Sequence, residues 1–238
     1  MVLKEEREVS ARDCDTKLNL SWDSVVDIYM DGVTDLFGNL GFDGTVIVKK
    51  FGASWVVVKN KMLFMRMPYW RERFVTECFI SKVSGATINA DMAFISKESG
   101  ELLAYGRGEL CALNLETGRP HKVGGVIVDR DKYTHPERTA VEFEKFGESE
   151  LPPAYSRKSA YMDIDYLHHT NNVAYVRMAL DARDVAYWEA HPLISLETHF
   201  VRQSHEGDLL SVQMDEDGYY NIRNEAGEIV VQGRMAHE

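Results

Sequence analysis

The stretch Tyr161–Leu180, YMDIDYLHHTNNVAYVRMAL, places two aspartates, two adjacent histidines and two adjacent asparagines directly before an apolar run. These are residue types for acid–base chemistry. Imidazole titrates near neutral pH, so His168 or His169 can take a proton from water or a hydroxyl. Asp165 stands a few residues earlier and can orient a histidine or a water. The apolar run reads as a helix over 172–190. A helix start presents unpaired backbone N–H groups and a partial positive charge, where an oxygen gaining negative charge is stabilised. The polar cluster thus precedes the helix because that helix end is the electrophilic part of a site.

The same residues have plainer uses. Asparagine is a good N-cap, so Asn171 or Asn172 can serve the helix alone. Asp163 and Asp165 suit a turn. Asp163, Asp165, His168, His169, His199 and His205 together offer metal ligands. Their spacing matches no standard zinc pattern, and adjacent histidines diverge on most backbones, so no metal is expected. No organic cofactor is expected either.

The elements that position this cluster are legible in an internal repeat. ISKESGELLAYGR (Ile95–Arg107) matches IRNEAGEIVVQGR (Ile222–Arg234) in Ile, Glu, Gly, Glu, Gly and Arg. Each copy reads as a hairpin with a Gly-containing turn. Phe64-Met65-Arg66 echoes Phe200-Val201-Arg202, and Asp13-Cys14-Asp15 echoes Asp163-Ile164-Asp165, in the same order along the chain. Each half then reads as a short strand, a long helix (24–40 and 172–190) and four antiparallel strands. These lie near 54–64, 74–83, 86–96 and 102–113, and near 195–202, 209–216, 219–223 and 229–236. A mostly apolar helix laid across such a sheet buries its face. The fold class is α+β. The domains are expected at 1–122 and 154–238. The charged stretch 123–153, with Pro136, Pro152 and Pro153, reads as the linker.

Composition narrows the partners. A net charge of −11 argues against sequence-independent nucleic-acid binding and against a membrane-surface role. No apolar run reaches membrane-spanning length, and MVLKEEREVSARDCD reads as neither signal nor transit peptide. Three widely spaced cysteines suggest free thiols and a cytoplasmic setting.

Several motifs together resemble one family. They are DIDYLHHTNNVAY (163–175), VRQSHEGD (201–208), MPYWRERFVTE (67–77) and LETGRP (115–120). The chain is similar to acyl-acyl carrier protein thioesterases of bacteria and plant plastids. The resemblance implies two tandem hotdog domains, each a curved antiparallel sheet around a central helix. It also implies hydrolysis of fatty acyl-acyl carrier protein to free fatty acid in fatty acid biosynthesis. The family's Asp-x-Asn-x-His places Asp165 at Asp, Leu167 at Asn and His169 at His. Its Glu-Cys pair falls on Gln203 and Ser204. His169 is then the base acting on water, with Asp165 and Gln203 as positioning groups, Ser204 the alternative nucleophile and His168 the alternative base. Asn171 and Asn172 open the oxyanion end of the helix. The first half, with Asn19 where His169 stands, keeps the fold and takes the acyl chain.

The partner so implied is an acidic acyl carrier protein, and a homodimer is left open. Since this chain is acidic too, a local basic patch is expected among Lys49, Lys50, Lys59, Lys61, Arg66, Arg71, Arg73, Arg157 and Lys158. An acyl-CoA thioesterase of the same fold and a non-catalytic acyl-binding protein are the alternatives.

Overall fold

The computed structural model describes residues 1–237. Glu238, the last residue of the expected second domain, lies outside the described residues. Two units separate, Met1–Glu142 and Phe143–Glu238.

The first unit runs β1 (Leu3–Glu8), α1 (Trp22–Leu40), α2 (Gly44–Phe51), β2 (Ala53–Phe64), β3 (Arg73–Val83), β4 (Thr87–Ser96), β5 (Leu102–Asn114) and the single turn α3 (Arg130–Tyr133). The strands pair antiparallel in the order β1-β3-β4-β5-β2. Helix α1 starts because Ser21 accepts from the Ser24 N–H. It stops at Gly41, whose φ of 79° is a left-handed conformation suited to glycine. Helix α2 was not expected: Asp43 accepts from Thr45 and Val46 N–H and restarts the helix within two residues of Gly41. Phe37, Phe42 and Trp55 pack ring against ring around this corner, with centroids 5.0–6.3 Å apart.

Strand register sorts the side chains by face. Cys78, Met92, Gly106 and Met62 form one inner row, and Ile80, Ala90, Gly108 and Asn60 the next. Helix α1 lies over these rows. Its Tyr29, fully buried, donates a 2.8 Å hydrogen bond to the Ala90 carbonyl. Gly106 gives the Met62 thioether its seat: a Cβ there would meet Met62 Sδ at 2.5 Å and Tyr29 Cδ2 at 3.1 Å.

The outer face carries a buried ion pair. Arg107 Nε and Nη2 donate to both Asp91 carboxylate oxygens at 2.8 and 2.7 Å. Asp91 also accepts from Ser81 and Tyr105 hydroxyls. Arg107 then reaches Glu137 and, at 2.9 Å, the Val141 carbonyl. Val141 packs with Phe79, Ala93 and Tyr105. Nearby, Val123 is buried and its N–H bonds the Gly85 carbonyl. So residues 123–142, charged and without periodicity, are seated on this unit by polar anchors.

The second unit runs β6 (Pro153–Lys158), α4 (Asn172–Leu180), α5 (Val185–Ala190), β7 (Leu193–Phe200), β8 (Leu209–Met214), β9 (Tyr219–Arg223) and β10 (Ile229–His237), paired antiparallel as β7-β10-β9-β8-β6. The single helix expected over 172–190 is two short ones. Asp181 caps α4, and the Asp184 carboxylate accepts from Tyr187 N–H at 2.8 Å to start α5. Aspartate favours caps over helix interiors, and two in four residues break the run. Trp188 Nε1 closes the corner on the Leu180 carbonyl. Residues 144–149 are tied to this unit through Glu144 N–H on Glu197 and Ser149 O from Asn221.

The two units share their irregular hydrogen bonds at the offsets of the sequence repeat. Ser21 N–H bonds Asp13 O, as Asn171 N–H bonds Asp163 O; Leu20 bonds Pro68 O, as Thr170 bonds Ser204 O. Arg66 bonds Leu103 O, as Arg202 bonds Val230 O.

Two outcomes are expected in equilibrium unfolding by urea. Asp91→Ala leaves Arg107 buried without its carboxylate and lowers stability by about 3–5 kcal/mol. Asp31, beside Asp27 on α1, has its carboxyl raised above its ordinary value of 3.8, first by partial desolvation and then by the Asp27 charge. An acid held more protonated in the folded state opposes folding once both states are ionised. That penalty fades as pH falls below the unfolded value. Asp31→Asn therefore raises Tm at pH 7, and the gain vanishes near pH 3.

Candidate active site

The cluster read from the sequence folds as a tight hairpin between a single 3-10 turn (Tyr161–Asp163) and α4. Asp165 N–H bonds His169 O at 2.8 Å, and His168 N–H bonds Asp165 O at 3.0 Å. The Asp165 carboxylate Oδ1 accepts from Leu167 and His169 N–H at 2.8 and 3.2 Å. The turn puts His168 at φ 63°, in the left-handed region. In the first unit Leu18 holds the same place at φ 62°, and Asp15 accepts from Lys17 and Asn19 N–H. Asparagine or glycine would adopt this conformation with less strain.

The expected residues separate into groups. Asp165 and His169 share the hairpin, with His169 half-buried and His168 exposed. The Asp165 side chain binds backbone rather than the His169 ring. That ring stands edge-on to His205, with centroids 5.2 Å apart. His205 in turn lies 3.8 Å from the Asp208 carboxylate. Leu167 is exposed, as is Gln203. Asn171 is the N-cap of α4, accepting from Val173 N–H at 2.8 Å, and Asn172 is the first helical residue. Asp163 is buried and paired with Arg157, while its Oδ2 accepts from Ala160 N–H. These contacts make Asp163 a brace for the turn.

Ser204 is buried, at 1% exposure, in a network that sequence reasoning missed. Its hydroxyl meets Thr170 Oγ1 at 2.7 Å and Tyr175 Oη at 2.8 Å, and its N–H donates to the same Tyr175 oxygen at 3.1 Å. Burial pushes the Tyr175 phenol up, so it stays a neutral donor. The available signal was Tyr175 inside an otherwise apolar helix run, where a buried phenol needs a partner. At the repeat-equivalent positions of the first unit stand Leu20, Val25 and Pro68, all buried. The fold therefore accepts an apolar trio here, and the hydroxyl network is particular to the second unit.

Among the described residues no cluster of three or more metal-ligating side chains gathers. The hairpin instead offers an imidazole and a carboxylate at the N-terminal end of α4. An imidazole there can take a proton from water while backbone N–H groups face a developing oxyanion.

Comparison with known proteins gives a consistent picture. The family model "Acyl-ACP thioesterase N-terminal domain" matches residues 1–130, and "Acyl-ACP thioesterase C-terminal domain" matches residues 153–238. The chain is 24% identical over 200 residues to the chloroplastic oleoyl-acyl carrier protein thioesterase of Coriandrum sativum, covering 76% of this chain and 53% of that one. It is 25% identical over 222 residues to the chloroplastic palmitoyl-acyl carrier protein thioesterase of Cuphea hookeriana, covering 82% and 51%. The chain thus spans about half the length of the curated relatives it matches. An acyl-ACP thioesterase of Bacteroides thetaiotaomicron superposes with a TM-score of 0.92 at 20% identity, over 100% of this chain and 98% of that one. The 12:0-ACP thioesterase of Umbellularia californica gives 0.83 at 16%, over 100% and 97%. These two share the fold.

Replacing Ser204 tests the network. Ser204→Ala deprives the buried Thr170 and Tyr175 hydroxyls of their shared partner. It is expected to cost about 1–3 kcal/mol in urea unfolding.

Proposed function

Because the chain belongs to the acyl-ACP thioesterase family, we propose that it hydrolyses a fatty acyl thioester carried on an acyl carrier protein, releasing the free fatty acid. The supporting observation is the hairpin that carries Asp165 and His169 directly into α4. His169 takes a proton from water as the oxygen attacks the thioester carbonyl. The resulting oxyanion faces the N–H groups at the start of α4. Its collapse expels the carrier's thiolate, which recovers the proton from the imidazolium, so water is added across the C–S bond with no other reactant. Asp165 Oδ1 holds the turn, and Oδ2, unbonded among the described residues, is open to a water or the imidazole. Gln203, exposed in the loop after β7, is assigned to positioning the attacking water.

Ser204 is a weaker candidate for nucleophile. Its hydroxyl is buried and held by Thr170 and Tyr175, neither of which accepts a proton as a base would. The first unit, largely apolar between helix and sheet, is assigned the acyl chain.

An acidic carrier must find cations on an acidic chain. Lys59 faces Glu109, Arg66 is shared by Glu72 and Glu101, Arg73 faces Glu8, and Arg157 faces Asp163. Lys61 donates to the Glu142 carbonyl at 2.9 Å. Of the expected patch this leaves Lys49 and Lys50 at the end of α2, Arg71 over the Trp70 ring, and Lys158 as the proposed contacts. Three free cysteines fit a reducing, cytoplasmic setting, and no helix among the described residues is long and apolar enough to cross a membrane.

The test follows free thiol release from acyl carrier protein and acyl-CoA thioesters. His169→Ala is expected to lower turnover by about a hundredfold or more, with Ser204→Ala affecting it mildly. The reverse order would indicate an acyl-serine intermediate. Faster release from acyl-CoA would move the substrate to the coenzyme A ester. Release from neither thioester would leave acyl binding without catalysis.

A further inference from the structure

The inner face of the first unit holds a polar side chain with nothing to bond. Asn60 is 1% exposed, and both its amide nitrogen and its carbonyl oxygen lack partners among the described residues. Register places it opposite Gly108 and next along the strand from Met62, on the side that α1 covers. Its row continues as Gly108, Ala90 and Ile80, so no other polar side chain stands in the row, and the Tyr29 hydroxyl over Gly108 is bonded to the Ala90 carbonyl. Its repeat-equivalent in the second unit is Leu196, fully buried and apolar. The fold therefore does not demand an amide at this position. A buried polar group left unpaired is costly, and native proteins keep few of them.

The surroundings can make room. Met62 is seated on Gly106, and Met92 fills the place a side chain on Gly32 of α1 would occupy. Methionine has three rotatable bonds and fills irregular gaps without fixing them. Withdrawal of these two thioethers would open a slot over Gly106, walled by the Tyr29 ring, which covers Gly108, and edged by the Asn60 amide.

We propose that Asn60 selects acyl chains that carry a hydroxyl or keto oxygen. This rests on the reading of the first unit as the acyl-binding one. A plain alkyl chain in the slot leaves the amide as unpaired as it is in the free protein. An oxygenated chain pairs it, as donor to a keto oxygen or as both donor and acceptor to a hydroxyl. Sites built around a hydrogen bond reject the analogue that lacks it far more strongly than apolar pockets reject a methylene.

The experiment measures kcat/KM of the full chain on acyl carrier protein thioesters of one chain length: unsubstituted, 3-hydroxy, mid-chain hydroxy and mid-chain keto. At least one oxygenated chain is expected to exceed the unsubstituted one by about tenfold or more, and Asn60→Leu is expected to erase that ratio. Equal rates for all four chains would overturn the assignment and leave the thioesterase reading intact. So would an Asn60→Leu variant slowed equally on all four, since the amide would then serve the carrier arm or the fold. Should Asn60→Leu not fold, the wild-type ratios decide. If no thioester is cleaved, the thioesterase reading fails. Binding of free hydroxy and plain fatty acids, measured by calorimetry, then decides: tenfold tighter binding of the hydroxy acid supports the role of Asn60, and equal or no binding ends it.

Discussion

The second unit depends on one backbone constraint: a hairpin must close before helix α4 can begin. Asp165 N–H on His169 O, Thr170 N–H on Ser204 O and Asn171 N–H on Asp163 O fix that hairpin from three sides. These are backbone bonds, so they tolerate changes in side chain. That tolerance lets the first unit keep the same bonds with Leu18, Asn19 and Leu20 in place of His168, His169 and Thr170. The scaffold specifies position, and the residues placed on it specify chemistry.

The cost of the hairpin is a strained residue. His168 and Leu18 both sit at positive φ, where a side chain is disfavoured by roughly 1–2 kcal/mol. The strain is held by the Asp165 and Asp15 carboxylates, each bonding two N–H groups inside its turn. Asp165 thus has a structural duty in one carboxylate oxygen, while the second makes no bond among the described residues. The duplicated Asp-x-Asp follows from this duty: the carboxylates of Asp163 and Asp13 brace the preceding turn, and those of Asp165 and Asp15 cap the loop.

The two copies diverge where polar groups meet the apolar interior. In the second unit Thr170, Tyr175 and Ser204 bond one another in a place where the first unit packs Leu20, Val25 and Pro68. In the first unit Asn60 replaces the apolar residue that the second keeps as Leu196. The first exchange satisfies its own hydrogen bonds, and the second does not. An internally satisfied network orders a loop, whereas the Asn60 amide has no partner among the described residues.

The repeat, the strand positions and a polar turn at Asp163–Asp165 leading into a helix were legible in the sequence. Alternation and turn residues are local signals, and Gly-Glu-x-x-x-x-Gly-Arg survives in both copies. Helix α2 and the break at 181–184 were not read, because aspartate caps interrupt a pattern only slightly. The seating of residues 123–142 was also hidden, since it rests on Arg107, thirty-odd positions away, rather than on any period. Tertiary structure alone decided which oxygens and nitrogens find partners: that Asp165 binds backbone, that Ser204 is enclosed by two hydroxyls, and that Asn60 is buried with none among the described residues. Composition fixes which polar groups exist, but their satisfaction depends on strand register and on elements far apart in the chain, where local sequence carries no information.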